Sequence, residues 1–204
     1  MAENDARIEW SYTTKPEFFM GADATSAEKA WALCAAAAAP VLLYALAWRG
    51  QVDWALWQWA LAVLLAIDIA GGVVANALSA LKRLTFSPPN PADGWAVRLV
   101  KRRPLLFPLA HVHPLLLAWA FGGSAVFGAV WYAAPILSHM LIHRLPLYLH
   151  RPAALGLIAA AFLVSLYVIG APRGFEWFAP LFMLKLVYGH AVREEPYAPP
   201  SRRI

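Results

Sequence analysis

A single cysteine, Cys34, stands in a chain of 204 residues, so no intrachain disulfide and no CxxC pair for thiol relay or zinc can form. Charge is scarce as well. Lys, Arg, Asp and Glu make up 14% of the residues, against roughly a quarter in soluble domains, while 61% are hydrophobic and ten are Trp. That balance excludes an ordinary soluble domain and points to an integral membrane protein. The net charge of +5 is explained by basic loops between apolar spans and does not call for a nucleic-acid partner. Also missing is a basic start followed by an apolar run, so the sequence predicts no cleavable leader. No internal repeat is present, which argues against an inverted-repeat carrier.

What is present is a series of apolar runs. Thr25 and Glu28 have capping-box spacing and predict a helix start that opens a first span over 30–48. Further spans are expected over 54–81, long enough to tilt or to project beyond the lipid, and over 105–121, 125–145, 153–170 and 175–192, each near the ~20 residues a bilayer requires. The fold expected is an all-α bundle of six transmembrane helices. Before it lies an arm over 1–29, and after it a tail over 193–204 expected to be disordered. The loop 82–104 is broken by Pro88, Pro89, Pro91 and Gly94 and holds six Lys or Arg.

Outside the spans, the basic residues are three in the arm, six in this loop, Arg144 and Arg151, and three in the tail, opposed only by Arg49 and Arg173. The positive-inside rule places both termini in the cytoplasm, and the basic loop is expected to meet anionic lipid headgroups. Twelve Arg against five Lys, with abundant Ala, suggest a GC-rich bacterial genome and hence the bacterial inner membrane.

The second span carries the most information. At 3.6 residues per turn, Asp68, Gly71, Gly72, Ala75, Asn76 and Ser79 share one arc, and Val73, Val74, Leu78 and Leu81 lie opposite. In hydrocarbon the polar arc must face other helices or a wet cavity. Asp68 lies roughly 21 Å before Lys82, and Lys185 roughly 14 Å beyond Glu176, at ~1.5 Å per residue. Both fall near the bilayer centre, where an unpaired charge costs at least about 2.5–3.5 kcal/mol. An Asp68–Lys185 pair is expected, either as a polar clasp or as a titrating relay.

Nearer the cytoplasm, Asn76, His111, His139 and His190 are expected at one depth on four helices. His139 and His143 are spaced i, i+4, which lets two imidazoles reach one divalent metal ion, with His111, His190 or Asn76 as further ligands. The same pair could complement the helix dipole and touch headgroups, or ligate haem. His113 is expected to point away from the site, because a straight helix cannot aim it and His111 inward together. His150 is expected at the surface.

The signatures of familiar membrane enzymes fail on particular residues. GGSAVFG at 122–128 is one residue short of the rhomboid nucleophile turn, and six histidines are too few for the boxes of membrane di-iron hydroxylases. The residues after Asp68 lack the DG-x-x-AR run of CDP-alcohol phosphotransferases. Three readings stay open. One is an enzyme acting on a lipid-soluble substrate at Asp68, Asn76, Lys185 and the histidines. A second is a proton-coupled carrier using Asp68 and Lys185. The third is a subunit or chaperone that packs on a partner, or on its own copy, through Gly71, Ala75 and Ser79.

Overall fold

A computed structural model describes residues 6–49 and 52–199. The chain is mostly helical. Among the described residues, four helices are long and apolar enough to cross a membrane: α1 (Ser26–Trp48), α2 (Leu56–Ala77), α7 (Ala125–Ile142) and, with the short 3₁₀ turn before it, α8 (His150–Tyr167). The other two expected spans are interrupted. The third is split into α5 (Leu106–Ala110) and α6 (His113–Ala120), and the sixth into α9 (Phe178–Met183) and a π-helical segment, Leu184–Ala191.

Local chemistry accounts for most of these boundaries. Thr25 caps α1 as expected: the Glu28 amide donates to Thr25 Oγ1 at 3.2 Å, and the Thr25 amide returns a bond to Glu28 Oε2 at 2.8 Å. Pro40 lies inside α1 without ending it. Pro114 opens α6. It has no amide to donate and restricts His113 before it, so the helix of α5 cannot run through this point.

The second expected span ends earlier than 81. Leu78 is extended (ψ 141°), and α3 (Ser79–Phe86) starts afresh behind it. Other parts of the chain compete for the backbone and hydroxyl groups released there. Glu28 Oε1 accepts from the Ala80 amide at 3.0 Å, the Ala22 amide donates to the Ala80 carbonyl at 2.9 Å, and Ser79 Oγ accepts from the Tyr197 amide at 3.2 Å. Gly21 (φ +93°) allows this approach, because a Cβ there would lie 2.3 Å from the Ala80 carbonyl carbon.

The core is aromatic and runs between α2, α7, α9 and the π-helical segment. Phe127, Trp131, Phe175, Phe178 and Phe182 are all essentially inaccessible. At one end, Trp54, Phe121 and Phe175 cluster with centroids 4.5–5.1 Å apart, tying together the connections before α2, after α6 and before α9. Conversely, α1 and α8 keep Trp31, Val41, Leu42, Trp48, Phe162, Leu163 and Leu166 exposed. Such continuous apolar faces are what a bilayer would cover.

At the opposite end, arm and tail are built into the fold. Residues 193–199 do not form the disordered tail expected of them; positions 200–204 lie outside the described residues. Strand β2 (Tyr197–Ala198) pairs antiparallel with β1 (Arg7–Ile8), and Glu194 accepts from Arg151 Nε at 2.9 Å and Tyr188 Oη at 3.2 Å. The low hydrophobicity that suggests disorder is outweighed by this pairing to groups far away in sequence.

Two cations expected to face headgroups are buried here instead. Lys82 donates to the carbonyls of Gly189 and, at 2.7 Å, Val192, so it caps the π-helical segment. Arg83 donates to Ala22 O at 2.6 Å, Glu9 O at 2.7 Å and Tyr197 O at 3.3 Å. Burial pulls the Lys82 ammonium down to about 8, with Glu194 pulling the other way. A third cation, Lys101, lies on α4 (Trp95–Arg102) in a buried knot. It bonds Asp93 Oδ2 at 3.0 Å, Tyr12 Oη at 2.8 Å and Ser87 Oγ at 3.2 Å, and Tyr12 donates to Asp93. Burial and the adjacent carboxylate raise the Tyr12 phenol. Arg102 and Arg103 are exposed.

Candidate functional site

Asp68 sits mid-way along α2 and accepts two hydrogen bonds on one oxygen. Lys185, from the π-helical segment, and His113, from the start of α6 (Nε2, 3.0 Å), both donate to Oδ2. Oδ1 has no partner among the described residues. The two charges are unequally placed: the Lys185 side chain is 4% exposed and that of Asp68 41%. Lys185 reaches its position because Gly72 leaves room; a Cβ there would stand 2.5 Å from Lys185 Cε. Gly189 plays the same part for Asn76, which donates to the Lys185 carbonyl at 3.3 Å.

His113 is the residue that sequence reasoning assigned to the wrong side. The chain bends at His111 (ψ 69°) and Val112, which cancels the angular offset a straight helix would impose. The two rings lie 5.2 Å apart, centroid to centroid. Pro114 was the available signal. His111 donates from Nδ1 to Phe107 O at 2.6 Å; a carbonyl only accepts, so Nδ1 carries the proton.

Asp68, Asn76, Lys185, His111 and His190 all line one cavity of about 690 Å³ between α1, α2, α3, α4 and α5. Most of its wall is apolar, including Leu64, Ile67, Leu84, Val97 and Phe107, and Phe18, Phe19 and Met20 of the arm border it. His139 and His143 do not line this space. His139 is fully buried on α7 and donates from Nδ1 to Pro135 O at 2.9 Å, whereas His143 is exposed. Their rings stack 5.9 Å apart, and His139 lies 5.7 Å from His190. Among the described residues, no three of His, Cys, Asp or Glu are grouped to hold a metal ion. The histidines are aligned in sequence through the bundle instead of converging on one point. His150 is half-buried, with Nε2 3.2 Å from Leu145 O.

Gly71, Ala75 and Ser79 do not form one packing face. Gly71 meets α1, where an added Cβ would stand 2.9 Å from Ala36 Cβ, and borders the cavity together with Ala75, whereas Ser79 lies past the break at Leu78. The interrupted helix divides the stripe that a continuous one would present.

The arrangement is suited to acid–base chemistry. A carboxylate held by an ammonium and an imidazole keeps one oxygen free, beside a space large enough for a drug-sized molecule at roughly 300–1,000 Å³. No family model, curated protein or solved structure matches the chain.

Proposed function

We propose that this is a multi-pass protein of a bacterial inner membrane, with six crossing segments and both termini in the cytoplasm, that acts on a lipid-soluble molecule entering from the inner leaflet. In this reading α5–α6 and α9 with the π-helical segment are the two broken crossings. Irregular backbone at membrane depth is tolerated where protein or a cavity surrounds it. Support for the site comes from one observation above all: the 690 Å³ apolar cavity has Asp68, Lys185 and His111 on its wall. The apolar portion of the ligand would lie along Leu64, Ile67 and Leu84, with its polar group at Asp68. Asp68 then serves as base or acid, Lys185 and His113 set its charge, and Asn76 fixes the Lys185 backbone. Arg102 and Arg103 remain available for anionic headgroups.

Mass spectrometry of protein released from gentle detergent tests this. A bound amphiphile is expected with the unmodified chain and is expected to be lost in Ala75→Trp, which fills the cavity. Absence of any retained molecule from the unmodified protein would overturn the proposal.

A second reading, a proton-coupled carrier, is favoured by the charged pair at mid-depth. Uptake into vesicles that depends on a pH gradient, and is abolished by Asp68→Asn, would select it over the enzyme.

A further inference from the structure

Three buried imidazole nitrogens without a partner are not explained by the contacts of Asp68, one on His150 and two on the neighbouring rings of His139 and His190. His139 carries its proton on Nδ1, which donates to Pro135 O, so Nε2 presents a lone pair; that atom is buried without a partner, as is Nδ1 of His190. Both rings are almost entirely enclosed. Unpaired polar atoms of this kind are rare and costly in a packed interior, where an apolar side chain would serve a structural purpose better.

They lie in series. His143 is exposed at the end of α7 and stacks on His139 at 5.9 Å, with the planes 18° apart. His139 is 5.7 Å from His190, whose ring borders the cavity and packs face to face on Phe107 at 3.7 Å. Phe107 also contacts His111 at 4.6 Å. His111 is 5.2 Å from His113, and His113 bonds Asp68. No direct hydrogen bond joins these buried nitrogens, and centroid separations of 5.9 Å from His143 to His139 and 5.7 Å from His139 to His190 are of the size that one bridging water spans. Imidazole can accept a proton on one nitrogen and release one from the other near neutral pH.

We propose that His143, His139 and His190 form a proton inlet from the Arg144–Arg151 end of the bundle to the cavity, on whose wall His111 and Asp68 also lie. One proton leaves water for His143; His139 takes it on Nε2 and releases it from the same atom to His190 Nδ1, its own Nδ1 proton staying bonded to Pro135 O, and His190 releases the proton of its other nitrogen to the cavity. No electron moves. His190 is left in its other tautomer and resets by rotation. The inlet deepens the acid–base reading and rests on it for its use, but its existence is testable without any ligand.

Full-length protein labelled with ¹⁵N-histidine is placed in lipid nanodiscs and transferred to D₂O, and exchange of ring and backbone N–H groups is followed by NMR. The His139 and His190 ring protons are expected to exchange at least about tenfold faster than the backbone amides of the surrounding α7 turn. His143→Leu and His143→Gln should each slow that ring exchange at least about tenfold with backbone exchange unchanged, whereas His150→Leu should leave it as it was. Ring protons that persist as long as the neighbouring amides, or that exchange equally with and without His143, overturn the inlet. Because the wild-type ring-to-amide comparison stands alone, a variant that fails to fold does not remove the test. A missing lipid ligand with rapid ring exchange would overturn the site reading and leave the inlet standing.

Discussion

Replacing Asp68 with Asn should harm the protein more than replacing Lys185 with Met, although the two side chains share one bond. Without the carboxylate, the enclosed Lys185 ammonium loses its counter-charge and is left with a neutral amide oxygen as acceptor. Removing one member of a buried pair in this way costs about 3–5 kcal/mol. Lys185→Met leaves a carboxylate that still accepts from His113 and faces an open cavity, so water or the imidazole relieves part of the loss. The double variant removes both charges, and its cost should fall below the sum of the singles by about 1–3 kcal/mol. With roughly 2–4 °C per kcal/mol for a chain of this length, Asp68→Asn is expected to lower the melting midpoint by about 6–20 °C. The assay is the fraction of monodisperse protein left after heating in detergent, read by gel filtration. Strictly additive singles, or a larger loss from Lys185→Met, would refute the unequal enclosure of the pair.

Three further outcomes follow from geometry described above. Gly71→Leu should abolish stable extraction, while Val74→Leu is tolerated, because only the former drives a side chain into Ala36; expression and gel filtration of both variants check it. The stability of wild type relative to Lys82→Met should rise from pH 8 to above pH 10. In that window the folded lysine, at about 8, has shed its proton and the unfolded one, near 10.5, has not. The unfolded state then binds more protons, so stability grows with pH by up to about 3 kcal/mol; thermal melts across pH measure it, and a flat difference refutes the burial argument. Reporters fused after Ile204 or within 88–93 should read as cytoplasmic and those at Gly50 or Arg173 as external, and a reversed pattern at the long loop would refute the inferred topology.

The Asp68–Lys185 pair was legible because depth along an apolar helix is arithmetic. Asp68 and Lys185 could be matched across 117 positions from residue counts alone, and the Thr25–Glu28 box fixed where α1 begins. Pairings that depend on a bend were not legible. His113 joins Asp68 only because the chain turns ahead of Pro114, and helical periodicity assumes that it does not turn. Lys82 and Arg83 read as surface cations because composition cannot reveal that backbone carbonyls from the far end of the chain will surround them. The strand at Tyr197–Ala198 is similarly invisible, since two residues carry no period and its partner is at Arg7–Ile8.

The order of synthesis gives these distant pairings a temporal meaning. At ~5–20 residues per second, Lys185 leaves the ribosome roughly 6–23 s after Asp68, and His113 after roughly 2–9 s. Until His113 emerges α2 holds a carboxylate with neither partner, and from then until Lys185 emerges the imidazole is its sole protein donor. Lys82 likewise waits for the carbonyls of Gly189 and Val192, and Arg83 for that of Tyr197. The nascent hairpin of α1 and α2 is therefore an unfinished insertion intermediate until the last tenth of the chain arrives. A ribosome stalled before that point would present proteases with a hairpin whose polar groups are still unmatched.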